Sequence, residues 1–196
     1  MCRTMDTMLR WLQRCKEGGR TPATSLTLLP PEMTLPLCHS VSIHKSRLFN
    51  TKLRKKNILF FGLIRTYKGL DILLEAFGML PEDYQLIIAG EPYGSFDKYQ
   101  EIIDRIPGKD RISMNLKYIK DSEVTDYFSA ADVAVLPYRS ATQSGISSVS
   151  YHFEVPMIVT DVGGLKETIG DRGTGLVASE GTPEAIKDEI VKYFED

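Results

Sequence analysis

Apolar positions along this chain follow two different periods, and the switches between them mark out the elements. Asn57–Phe61 is an apolar run of strand length that stops at Gly62. Leu70, Leu73, Leu74 and Phe77 then fall at i, i+3, i+4 and i+7, the spacing of one helix face. Gln85–Ala89 is a second buried-strand run, ending at Gly90-Glu91. Asp97–Ile106 carries Tyr99, Ile102, Ile103 and Ile106 at helical spacing, and Arg111–Met114 is a short strand. Leu116–Ile119 leads to a helix over Asp121–Ala131, with an Asp or Ser expected as its cap. Asp132–Pro137 is a third apolar strand and Gly145–Phe153 a further helix. Pro156–Thr160 is another strand, followed by Gly163-Gly164 and a short helix through Ile169. Gly175–Ala178 is the last strand. Thr182-Pro183 then reads as an N-cap with proline at the first helical position, opening a helix with Ile186, Ile190 and Phe194 inward. Apolar strands alternating with helices predict a parallel sheet covered on both faces. The expected fold is therefore α/β, a doubly wound, Rossmann-like core.

The first 56 residues do not share this regularity. Met5, Met8, Leu9 and Leu12 mark one helix face, and Ser25–Leu29 is β-compatible, but prolines break the segment and no period holds from Met33 to Lys56. Residues 1–56 are read as an appendage or linker, and residues 57–196 as the folded domain.

Composition narrows the class without naming a chemistry. Apolar content of 42% and charged content of 26% are ordinary for a globular protein. No apolar run approaches the roughly 18 residues of a membrane span, and no signal peptide is evident. Cys2, Cys15 and Cys38 have neither CxxC nor Cys/His ligand spacing, so they read as free thiols in a reducing compartment. The expected location is the cytoplasm, with peripheral contact at the inner membrane face as its variant. The net charge of −2 hides an asymmetry: residues 1–56 hold 11 Lys/Arg against 3 Asp/Glu, and the remainder 13 against 23. The one dense basic cluster, Lys52, Arg54, Lys55 and Lys56, has no interleaved aromatics and reads as a solvated linker. No nucleic-acid partner is expected.

Four loops should gather at the carboxyl edge of the sheet, where open α/β sheets bind ligands. The first, Gly62–Gly69, carries Arg65 and Lys68, a forked donor and a point charge suited to phosphate. By spacing alone, an ordinary loop with two solvated cations remains open. The second is Gly90-Glu91-Pro92. The third, Ser140–Gly145, opens a helix with small hydroxyl residues, so bare N–H groups and the helix dipole make an anion site. Plain N-capping by Thr142 or Ser144 is its alternative. The fourth is Val162-Gly163-Gly164. GxGxxG, GxxxxGK[ST] and GxSxG are all absent, which argues against a nicotinamide site, P-loop phosphoryl transfer and an α/β-hydrolase nucleophile. His39, His44 and His152 have no obvious Ser or Cys partner. His152 reads as a core or helix-end histidine, and Glu91 and Glu167 as solvent-facing carboxylates.

Taken in order, FFGLIRTYKGLDILLEAF, QLIIAGEP, NLKYIKDSEVTDYFSAADVAVLPY, ATQSG and PMIVTDVGGLKETI resemble the donor-binding half of a GT-B glycosyltransferase of group 1, family GT4. The resemblance covers residues 57–196. It implies retaining transfer of a sugar from a nucleotide-diphosphate sugar to a glycan or lipid-linked acceptor, with no obligatory metal or other cofactor. Arg65 and Lys68 fall where family members neutralise the departing diphosphate. Ser144 and Gly145 would add backbone contacts to it, and Tyr118 and Ile119 match the loop that lies against the nucleobase. Gly62 and Gly90 match positions of close backbone approach to the ligand. The family's two glutamates, eight residues apart, fall at Ala141 and Val149 when aligned on Pro156, so the ribose-binding carboxylate is lost unless Gln143 substitutes for it. The chain has no room for the family's other Rossmann-like domain, so acceptor groups are expected elsewhere. Two alternatives stand beside this reading: a non-catalytic half that works only with a separate acceptor-domain chain, and an unrelated nucleotide-binding regulatory domain.

Overall fold

The structure, a computed structural model, describes residues 55–170 and 173–195. The expected N-terminal helix and strand, the three cysteines, His39, His44, Lys52 and Arg54 lie outside the described residues. From Lys56 onward six strands form one parallel sheet: β1 (Lys56–Phe61), β2 (Tyr84–Ala89), β3 (Ile112–Asn115), β4 (Val133–Leu136), β5 (Met157–Thr160) and β6 (Gly175–Ala178). Their spatial order is β3-β2-β1-β4-β5-β6, so the chain winds outward from β1 to one edge and returns to β1's other side at β4. That reversal between β1 and β4 is the switch point of a doubly wound sheet.

Among the described residues the α-helices are α1 (Leu70–Gly78), α2 (Asp97–Arg105), α3 (Asp121–Ala130), α4 (Gly145–His152) and α5 (Pro183–Glu195). Side chains of each central strand alternate between two separate apolar layers. Ile58 and Phe60 of β1, with Leu86, Ile88, Val133, Val135 and Ile158, face α1, α2 and α5. Leu59 and Phe61, with Ile87, Ala89, Ala134, Leu136, Met157 and Val159, face α3 and α4. Both faces are covered, which is why these strands read as unbroken apolar runs. Among the described residues, the inward helix positions expected from the spacing are buried or packed against their layer, from Leu73 and Phe77 to Ile190 and Phe194.

Two local expectations are corrected. The cap of α3 is neither Asp121 nor Ser122, because the last extended residue before the helix is Lys120. Glu123 instead reaches back, its carboxylate accepting the Lys120 N–H at 3.0 Å while pairing with the Lys117 ammonium at 2.7 Å. After Gly163-Gly164 the chain forms a wide π-helical turn, Lys166–Gly170, in place of an α-helix. The Thr182 cap of α5 is as expected, its hydroxyl oxygen accepting the Ala185 N–H at 3.3 Å. Among the described residues no helix is long and apolar enough to cross a membrane.

At the edge of the sheet opposite the candidate loops, a buried guanidinium closes the start of β2. Arg111 donates to the carbonyls of Pro81 (2.7 Å), Tyr84 (3.3 Å), Leu80 (3.5 Å) and Pro107 (3.3 Å), with its Cζ 4.7 Å from the centre of the Phe77 ring. No other side chain could serve so many carbonyls from one point. Arg111→Ala strands those acceptors, and urea unfolding should show a loss of about 2–4 kcal/mol with an unchanged m-value. Arg111→Lys keeps the charge without the fork and should recover little of it.

Candidate functional site

The four loops meet at the carboxyl edge and interlock around the switch point. Loop one, residues 62–69, is tied to loop two by a short parallel bridge. The Ile64 N–H donates to the Glu91 carbonyl and the Tyr93 N–H to the Ile64 carbonyl, each at 2.9 Å. Gly90 lies so near that a Cβ there would overlap the Gly62 carbonyl. Gly69 joins loop one to the chain leaving β4: its φ is +67°, and a Cβ would overlap the Pro137 carbonyl oxygen. Loop four closes the group, with Gly163 packed onto the Ala141 carbonyl.

A clamp reinforces the junction of loops one and three. The Arg139 N–H donates to the Tyr67 carbonyl at 2.7 Å, and its guanidinium to the Thr66 carbonyl at 3.1 Å. The same guanidinium grips both carboxylate oxygens of Asp71, in the first turn of α1, at 2.8 and 2.9 Å. These contacts fix the single turn Thr66–Lys68 that carries the first candidate charge.

Lys68 is buried, with 8% of its surface exposed, and no carboxylate among the described residues pairs with its ammonium. Its Nζ lies 5.8 Å from the centre of the Tyr138 ring and 3.2 Å from where a Cβ on Gly62 would stand. Burial, and secondarily the neighbouring Arg65 guanidinium, pull its pKa from 10.5 down to about 8. Arg65 itself is exposed, and its Cζ sits 4.5 Å from the centre of the Tyr93 ring.

The opposite wall is the start of α4. Ser144 caps it, its hydroxyl oxygen accepting the Ile146 N–H at 3.2 Å, and Gly145 is exposed at the first helical position. The Cδ1 of Ile146 lies 3.1 Å from the same point above Gly62 that Lys68 approaches, so the ammonium and a first-turn side chain of α4 are neighbours there. Tyr138 bridges them. Its hydroxyl is 3.2 Å from the Ser144 Oγ, and its ring faces Lys68. Only 3% exposed, its phenol is pushed by burial up to about 12 and stays neutral. The Lys68 ammonium and the Ile146 side chain, on the first turn of α4, thus flank one point above Gly62, next to a helix start that carries an exposed glycine.

The remaining predicted residues divide. Gln143 is exposed beside the cap. Tyr118 is 69% exposed, whereas Ile119 is only 8% exposed and packs its side chain in the α3/α4 layer. Gly90's close approach is to Gly62's own backbone. Ala141 and Val149 are partly buried in the α3/α4 layer. Glu91, Glu167 and His152 are exposed, His152 at the end of α4 against the Phe153 ring. Among the described residues no group of three or more His, Cys, Asp or Glu could hold a metal ion. Sequence reasoning missed Tyr138 and Arg139, although Pro-Tyr-Arg directly after a strand at the switch point was a signal, and it missed Asp71 and Tyr93, whose partners lie in other loops.

Known proteins share this fold. The chain is 25% identical over 158 residues to a D-inositol 3-phosphate glycosyltransferase of Corynebacterium urealyticum, covering 76% of this chain and 37% of that protein. A sucrose-phosphate synthase from Thermosynechococcus elongatus shares the fold at TM-score 0.66 and 24% identity, over 72% of this chain and 37% of that one. Anabaena HepE in complex with UDP-glucose shares it at TM-score 0.65 and 18% identity, over 72% of this chain and 40% of that one. The chain thus spans well under half the length of these relatives. Residues 43–196 match the family described as glycosyl transferases group 1, and the chain belongs to that family.

Proposed function

We propose that residues 57–196 are the donor-binding domain of a glycosyltransferase that takes a nucleotide-diphosphate sugar. The observation that carries this reading is the buried Lys68 ammonium, which has no carboxylate partner among the described residues and lies over Gly62 beside the start of α4. A cation kept in such a place costs free energy, and an anionic ligand offsets that cost. Relatives support the nucleotide: HepE structures hold UDP and UDP-glucose, and a starch synthase IV catalytic domain from Arabidopsis thaliana holds ADP.

When the bond from the anomeric carbon to the diphosphate oxygen breaks, negative charge grows on the departing phosphate. In this reading Lys68 and Arg65, with the Ser144 and Gly145 N–H groups, are the donors that meet that charge. They supply the neutralisation that a metal ion provides elsewhere, so transfer is proposed to need no obligatory metal. Tyr118 offers an exposed ring for the base, and Gln143 an amide near the ribose. Retention at the anomeric carbon follows from the family resemblance, as does a glycan or lipid-linked acceptor. The acceptor's attacking hydroxyl must be positioned by groups outside these loops.

Two outcomes are expected. UDP at about ten times its Kd should raise the melting temperature by roughly 3–6 °C, unchanged by EDTA, and Arg65→Ala with Lys68→Ala should abolish the shift. A shift that survives the double substitution sinks the phosphate assignment. Without ligand, Lys68→Met should be more stable than the parent at pH 7, by about 1–3 kcal/mol, because a neutral side chain replaces a desolvated charge. The sign with pH follows from the lowered pKa. The full cost applies below about pH 8, where the folded and unfolded states are both protonated. It fades between pH 8 and 10.5 as the folded state releases its proton first, so the advantage of Lys68→Met shrinks over that window in thermal melts.

A further inference from the structure

We propose that Tyr93 is a positioning residue for Arg65: its ring holds the guanidinium face so that the edge donors reach the ligand's phosphate. This rests on the diphosphate reading above.

Arg65 is exposed, and no carboxylate, carbonyl or hydroxyl among the described residues accepts a hydrogen bond from its guanidinium. Its recorded partner is the Tyr93 ring, with Cζ 4.5 Å from the ring centre. That distance is well within cation–π range. The contact is built from below. The Ile64–Pro92 bridge, with the Tyr93 N–H donating to the Ile64 carbonyl, fixes the backbone on both sides of the pair. The two side chains are therefore carried by segments that cannot drift apart independently.

Chemistry says why a ring suits this place. A guanidinium donates from its edge, so an aromatic face covers it without consuming any of its five donors. A carboxylate partner would occupy two of those donors and cancel the charge that the phosphate needs. Lys68 repels Arg65 from nearby, and the negative face of a π system offsets part of that repulsion. Tyr93 is 72% exposed and belongs to neither apolar layer, so the fold does not explain a large ring there.

Calorimetric titration of the full chain with UDP, and in parallel with inorganic pyrophosphate, tests this. Tyr93→Leu should bind both about two- to fivefold more weakly, the range of one exposed cation–π contact, with an unchanged melting temperature in the absence of ligand. Tyr93→Phe should bind like the parent. In an Arg65→Ala background, Tyr93→Leu should have no further effect. The proposal fails if Tyr93→Leu binds like the parent, or if Tyr93→Phe is as weak as Tyr93→Leu, which would make the hydroxyl a direct ligand contact. It also fails if the Tyr93→Leu loss persists in full without Arg65. Absence of any binding by the parent overturns the diphosphate reading itself, a result distinct from a parent that binds while Tyr93 is indifferent.

Discussion

One desolvated ammonium organises the candidate site. Lys68 sits where two strands part company in winding direction, under loops from both sides of that point, and no carboxylate among the described residues pairs with it. The distance from 10.5 to about 8 sets a ceiling of roughly 3 kcal/mol on what its burial costs. The helix immediately after it can bear that. Leu70, Ile72, Leu73, Leu74 and Phe77 of α1 are all buried, at about 1.5–3 kcal/mol each. Apolar packing behind the turn therefore wins over the electrostatic penalty within it, and the charge stays where it is.

The same arithmetic explains why the loops are fastened to one another. A lysine has enough freedom to swing its ammonium into water unless its backbone and surroundings prevent it. The Arg139 clamp on Thr66, Tyr67 and Asp71 fixes the backbone, and the neutral Tyr138 ring closes the side toward α4. These contacts restrict the positions that the Lys68 ammonium can take.

Much of the scaffold was legible in the sequence, for a physical reason. In a sheet covered on both faces, burial depends on local periodicity, so NILFF, QLIIA and the α1 stripe declare themselves without knowledge of their neighbours. The order of glycine-bearing loops was equally legible and led to the right family. What escaped was set by distant partners. Arg139 and Asp71 are 68 positions apart, and nothing near either announces the pair. Tyr93 meets Arg65 only because loop two bridges loop one. Adjacent residues also diverged: Tyr118 faces water while Ile119 enters the core, since one step along an extended segment turns the side chain to the other face. The α3 cap was misplaced for a related reason, Glu123 reaching backward where a forward-reading cap was expected.

Gly69, Gly90 and Gly163 are held by neighbouring carbonyls of the chain itself. A descendant that bound none of the proposed ligand would therefore keep all three, since folding alone demands them. Lys68 is under the opposite pressure, because without a ligand to serve, almost any apolar replacement would make the domain sturdier. Retirement of such a domain from its trade would thus be recorded at position 68 while the glycines remained silent witnesses.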